Sequence, residues 1–126
     1  MTSLEKINTD PYKSRADIIE KTANQVIKDF ATFGLEVHFS GNAAMAYNEL
    51  SIQLYGHITV MVENHIEKLQ ALLYHIDVNE KAIRRALEEY PDWSYAEIVT
   101  EMILQRELKK VAIREYIKEN PDWINQ

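Results

Sequence analysis

The sequence predicts an all-α fold, a four-helix bundle organised around a long second helix, and three observations carry that prediction. Only three glycines and three prolines occur in 126 residues, too little turn material for a β-sandwich or barrel. From Asn42 to Asp77 apolar residues recur at helical spacing with no proline. Two stretches, Asp77-Val78-Asn79-Glu80 and Ser94-Tyr95-Ala96-Glu97, have the pattern of a capping box, in which the first residue and the fourth satisfy each other's backbone N–H groups at a helix start. With 46% hydrophobic residues the chain can bury a core without metal or disulfide staples. We expect a polar N-terminal arm over residues 1–13 and a single helical domain over 14–126.

The first helix is expected to start at Asp10-Pro11, or a turn later at Ser14. Ile18, Ile19, Ala23, Val26, Ile27, Phe30 and Phe33 share one of its faces, and Gly34 stands where a left-handed residue closes a helix. Leu35, Val37 and Phe39 then alternate with Glu36, His38 and Ser40. That pattern fits a short extended connector with one buried side. No second strand is available to pair with it.

Ser40-Gly41-Asn42 supplies a cap for the second helix, which as one rod would extend roughly 50 Å at about 1.5 Å per residue. Its apolar arc includes Tyr47, Leu50, Leu54, Ile58, Met61, His65, Leu69, Leu72 and Ile76. Between Ala43 and Ile76 it carries one cation, Lys68, so other chain is expected to cover much of its circumference. The third helix is capped by Asp77 and stopped near Tyr90 by Pro91, since a residue before proline disfavours the helical conformation. Ser94 caps the fourth, with Trp93 and Ile98 at the positions of a hydrophobic staple. It runs to about Glu119 before Pro121. The segment Ala-Ile-Arg through Pro-Asp-Trp occurs at 82–93 and again at 112–123. Two copies are fewer than a solenoid needs, and a proline stop after a helix accounts for both.

Composition excludes several classes of function. A net charge of −6 argues against nucleic acid and anionic membranes as partners, because phosphates demand clustered Lys and Arg. Without cysteine there is no disulfide, thiolate nucleophile or Cys-based zinc site. The N-terminus has no apolar signal region, and no apolar run approaches a membrane span, so a cytoplasmic protein is expected. The glycines are too scattered for a phosphate loop, and no Glu-x-x-His pair of a di-metal bundle occurs. No catalytic, cofactor or metal residues are therefore assigned.

Histidine offers one interior candidate. His57 and His75 are expected to be solvated, whereas His65 falls in the apolar arc near Tyr47 and Ser51. Those three residues form a candidate buried polar group, and an enzyme or ligand site beside His65 is the alternative reading. Glu63 and Glu67 lack a cation at helical spacing and are expected on a solvated face. Arg106, Lys109, Lys110 and Arg114 are expected to pair along their own helix with Glu107 and Glu115.

Two surfaces remain over. The fourth helix is apolar on two sides, Tyr95, Ile98, Val99, Met102 and Ile103 on one and Leu104, Leu108 and Val111 on the other. Such a helix is either central to its bundle or shared with a second chain. Ile52, Gly56 and Val60 break the polar side of the second helix. The function expected is a non-catalytic interaction or homodimerisation module, with the Leu104 set the preferred interface and the Ile52 set the second choice.

Overall fold

The computed structural model describes residues 7–125. It is all-helical, with no strand among the described residues. Six α-helices follow one another: α1 (Asp10–Lys13), α2 (Ala16–Thr32), α3 (Ala46–Asn64), α4 (Ile66–Ile76), α5 (Glu80–Glu89) and α6 (Tyr95–Glu119). A 3-10 turn, Ala43–Met45, leads into α3, and another, Trp123–Asn125, ends the described chain. Six helices exceed the expected four for two reasons: the N-terminal segment adds α1, and the long second helix is broken.

The break falls at His65, whose φ of −145° and ψ of 54° lie outside the helical region. The sequence around it is short of strong helix formers. Ile58, Thr59, Val60, Val62 and Ile66 are β-branched, and Asn64 competes for backbone hydrogen bonds. Leu50, Leu54, Ile58 and Met61 are buried before the break and Leu69, Leu72, Leu73 and Ile76 after it. Both arms therefore bury most of the expected stripe, and His65 at its middle and Tyr47 at its start are lost from the interior.

Local signals near helix ends fare better. Gly34 adopts φ 73° after α2, and Leu35 N–H returns to Phe30 O at 2.9 Å, the bond that closes a helix through a left-handed residue. Val37 is buried and Leu35 and Phe39 pack against the core, while Glu36, His38 and Ser40 face solvent. The connector is thus extended and one-sided, and the side chain of Gln53 on α3 bonds both His38 N–H and His38 O at 2.8 Å. Ser94 caps α6 in a complete capping box. The start of α5 differs from expectation by two residues. Asp77 is the left-handed end of α4 (φ 68°), and Asn79 caps α5 by accepting from Lys81 N–H at 2.7 Å. Asp77 cannot cap a helix because it is still closing one.

The central element is α6, which touches each of α1 to α5. Its two apolar sides are both internal, and this corrects the expectation that the second helix organises the chain. Ile98, Val99, Ile103 and Leu104 join the main core with residues of α2, α3, α4 and α5. Val111 and Ala112 form a second cluster with Ile18, closed by Tyr12 and Leu108. Residues 1–6 of the expected arm lie outside the described residues. The remainder is docked: Thr9 is buried and the Tyr12 ring meets Tyr116 edge-on at 6.0 Å.

Candidate functional site

The preferred interface set does not form a free surface. Leu104 is 7% and Val111 4% exposed, and Leu108 lines a crevice of about 200 Å³ beside Ile19, Thr22 and Leu50. Helices α1 and α2 cover the face that sequence periodicity left without a partner. The second set faces solvent: Ile52 is 73% and Val60 52% exposed, with Gly56 exposed between them.

The candidate buried polar group is dispersed. His65 is exposed at the break between α3 and α4, because the break turns it out of the stripe that its spacing assigned it to. Tyr47 is also largely exposed and donates from its hydroxyl to Glu101 Oε2 at 2.6 Å. Ser51 donates to Asn48 O at 3.3 Å. Tyr47 and Ser51 do come together, but against α6 rather than against His65. They line an open groove of about 350 Å³ between α3 and the first turns of α6, which Trp93 and Tyr55 also border. His57 and His75 are not simply solvated either. His57 Nε2 lies 2.7 Å from Glu36 O, and His75 Nε2 lies 3.2 Å from Asp29 Oδ1 with its ring against Phe33. Glu63 and Glu67 are exposed.

Sequence reading missed the polar centre between α2 and α6. Glu107 has 0% exposure. Lys110 Nζ stands 2.7 Å from its Oε1, yet neither carboxyl oxygen receives a hydrogen bond of sound geometry, and that ammonium donates instead to Ile76 O at 3.0 Å. Asp29 is the other neighbour. Its Oδ1 accepts from Gln25 Nε2 at 3.0 Å and faces His75 Nε2. Two carboxylates cannot satisfy each other, but a carboxylic acid donating to a carboxylate can. Burial and the adjoining Asp29 push the Glu107 carboxyl up to about 8. Asp29 moves the other way: burial acts to raise it, but hydrogen bonds from Glu107, Gln25 and His75 together hold it below its ordinary value. Glu107 is therefore the protonated partner. Such a pair can act as acid and base only where substrate reaches it, and Glu107 has no exposed surface.

The basic run on α6 pairs mostly across helices rather than along its own. Arg106 Nη2 meets Asp77 Oδ2 at 2.7 Å, Arg114 Nη2 donates to Gln25 Oε1 at 3.1 Å, and Glu115 takes Lys21 of α2 at 2.9 Å. Among the described residues, no group of three or more His, Asp or Glu side chains converges to hold a metal. No helix among them is long and apolar enough to cross a membrane. Comparison of the chain with protein-family models, with curated proteins and with solved structures finds no match.

Proposed function

We propose that the protein is a non-catalytic, cytoplasmic interaction module that self-associates as a homodimer through the outer face of α3. The fold serving it is read as a bundle of four rods, with the single-turn α1 set apart and α3 and α4 together counting as one bent rod. The observation that carries the reading is Gly56. A glycine inside a helix costs about 1 kcal/mol relative to alanine, and here nothing among the described residues uses it. Its φ is not positive, and a Cβ built on it would meet nothing within 4 Å. A second backbone approaching closely would give the missing side chain a purpose.

The surroundings support the same reading. No Asp, Glu, Lys or Arg occurs between Glu49 and Glu63, although 27% of the chain is charged. Ile52, Tyr55 and Val60 nonetheless face solvent there. A two-fold pairing of such stripes is self-complementary, since each chain brings the same uncharged ridge and the same glycine gap.

Light scattering coupled to size-exclusion chromatography at tens of micromolar protein is the test. The expected result is twice the chain mass, falling to the single-chain mass in Val60→Glu with helix content unchanged by circular dichroism. A single-chain mass for the unsubstituted protein would refute the reading.

A further inference from the structure

The groove between α3 and α6 shares Ile52 and Tyr55 with the proposed dimer face, but its α6 side has a chemistry that self-association does not use. Glu97 and Glu101 stand one turn apart on α6, where like charges repel, and no Lys, Arg or His among the described residues lies within ion-pair distance of either. Neutral donors fix both in place. Glu97 Oε1 accepts Ser94 N–H at 2.9 Å, while Glu101 accepts from the Tyr47 hydroxyl at 2.6 Å and from Gln105 Nε2 at 3.0 Å. Their negative charge is thus positioned but not neutralised.

Three aromatic side chains border the same space, Tyr47, Tyr55 and Trp93, each of them solvent-exposed. The face of an aromatic ring attracts cations and tolerates water poorly. Thr100 adds an independent observation. It lines the groove at 5% exposure, and among the described residues its Oγ1 has no hydrogen-bond partner. Buried hydroxyls are nearly always paired, and the acceptor capacity of this one is unused.

We infer that the groove between α3 and the first turns of α6 is a binding site for an N–H-bearing organic cation, an alkylammonium or guanidinium group. Glu97 and Glu101 supply the counter-charge, Tyr47, Tyr55 and Trp93 supply the walls, and the Thr100 hydroxyl accepts an N–H at the floor. A quaternary ammonium satisfies the first two requirements but not the third. The group is carried either by a free amine or by a lysine or arginine side chain of another polypeptide.

Trp93 reports on its own site once Trp123→Phe removes the other tryptophan. Its fluorescence is titrated with n-butylammonium chloride, with tetramethylammonium chloride, with neutral 1-pentanol and with an acetylated, amidated lysine tripeptide, against sodium chloride at matched ionic strength. The expected result is a saturable change with n-butylammonium, with binding at least about tenfold weaker for 1-pentanol and weaker for tetramethylammonium. Glu97→Gln with Glu101→Gln should lower the affinity about tenfold or more while circular dichroism stays unchanged, since glutamine also serves the capping box. Thr100→Val should remove the preference for n-butylammonium over tetramethylammonium. A lysine tripeptide that binds more tightly than n-butylammonium assigns the site to a polypeptide side chain, and the reverse order to a free amine. No saturable change with either amine, or equal binding of 1-pentanol, overturns the inference. Repeating the titration in Val60→Glu separates it from self-association, because the groove should bind equally well in a single chain.

Discussion

From Tyr95 to Leu104, α6 meets its neighbours through Ile98, Val99, Ile103 and Leu104, all buried among aliphatic and aromatic side chains. From Arg106 to Glu119 the same helix meets α2 through the small apolar cluster of Val111, Ala112 and Ile18 and through the Glu107–Asp29 pair, with ion pairs and amides around it. The first half is held by packing, which responds to volume and is indifferent to protons. The second half includes a buried acid whose proton is part of the structure. One continuous helix thus joins two kinds of contact, and each should fail under a different perturbation.

The largest expected effect is in the apolar half. Ile103 is fully buried, and Ile103→Ala should cost about 2–5 kcal/mol through lost transfer energy and the cavity left behind. Urea denaturation measures it, and the loss should be the same at neutral and alkaline pH. A strongly pH-dependent loss would mean that the two halves are not separable.

In the polar half the expected effect follows the proton. Glu107 folds with a value of about 8 against an ordinary 4.5. Its contribution to stability is therefore fully present below about 4.5 and is lost as pH rises through about 8. Asp29, held below its ordinary value, has the opposite sense: its contribution is present above the ordinary carboxylate range and disappears as pH falls through its folded value. The denaturation midpoint should decline from about pH 5 to about pH 9, and Glu107→Gln, which keeps a donor for Asp29, should flatten that decline. An equally steep decline in Glu107→Gln would place the titrating group elsewhere.

Helix ends provide a smaller test, because the start of the apolar half rests on a local device. Ser94→Ala removes the side chain that accepts Glu97 N–H at 3.1 Å, and should cost about 0.5–2 kcal/mol. The smallest effect is of opposite sign. In Gly56→Ala the new methyl meets open space, so the single chain should gain about 0.5–1 kcal/mol, while the dimer should weaken in the same light-scattering measurement.

What could be read beforehand was mostly local. Ser94 with Glu97, Gly34 and the alternation from Leu35 to Phe39 are decided by residues within a few positions of one another. His65 was misplaced because periodicity gives a residue's phase along an unbroken helix, and the break alters orientation without altering spacing. Asp77 was misassigned as a cap because its pattern with Glu80 does not reveal that α4 still has to close there, which moves the cap to Asn79. Glu107 was hidden by its residue type. Its spacing from Ile103, Leu104 and Val111 places it on the buried stripe, just as Asp29 falls between Val26 and Phe30, and a carboxylate at matching positions on two apolar faces was the available signal. In the groove, Glu97 and Glu101 are one helical turn apart in sequence, but Tyr47 reaches Glu101 across 54 residues, which no local pattern reports.

The carboxyl end of α4 has a consequence for the order in which the molecule forms. Its terminal carbonyls are met by cations of a different helix: Arg106 Nε bonds Asp77 O at 3.2 Å and Lys110 Nζ bonds Ile76 O. These partners lie 29 and 34 residues further along the chain. The carbonyls of Leu73 and Tyr74 are closed locally by the N–H groups of Val78 and Asp77, whereas those of Ile76 and Asp77 gain their protein partners only once α6 has docked. Closing a loop of that size has an entropic cost before the contact stabilises anything. The two bonds from α6 to Ile76 O and Asp77 O are thus late to form, and they open early when α6 lifts away.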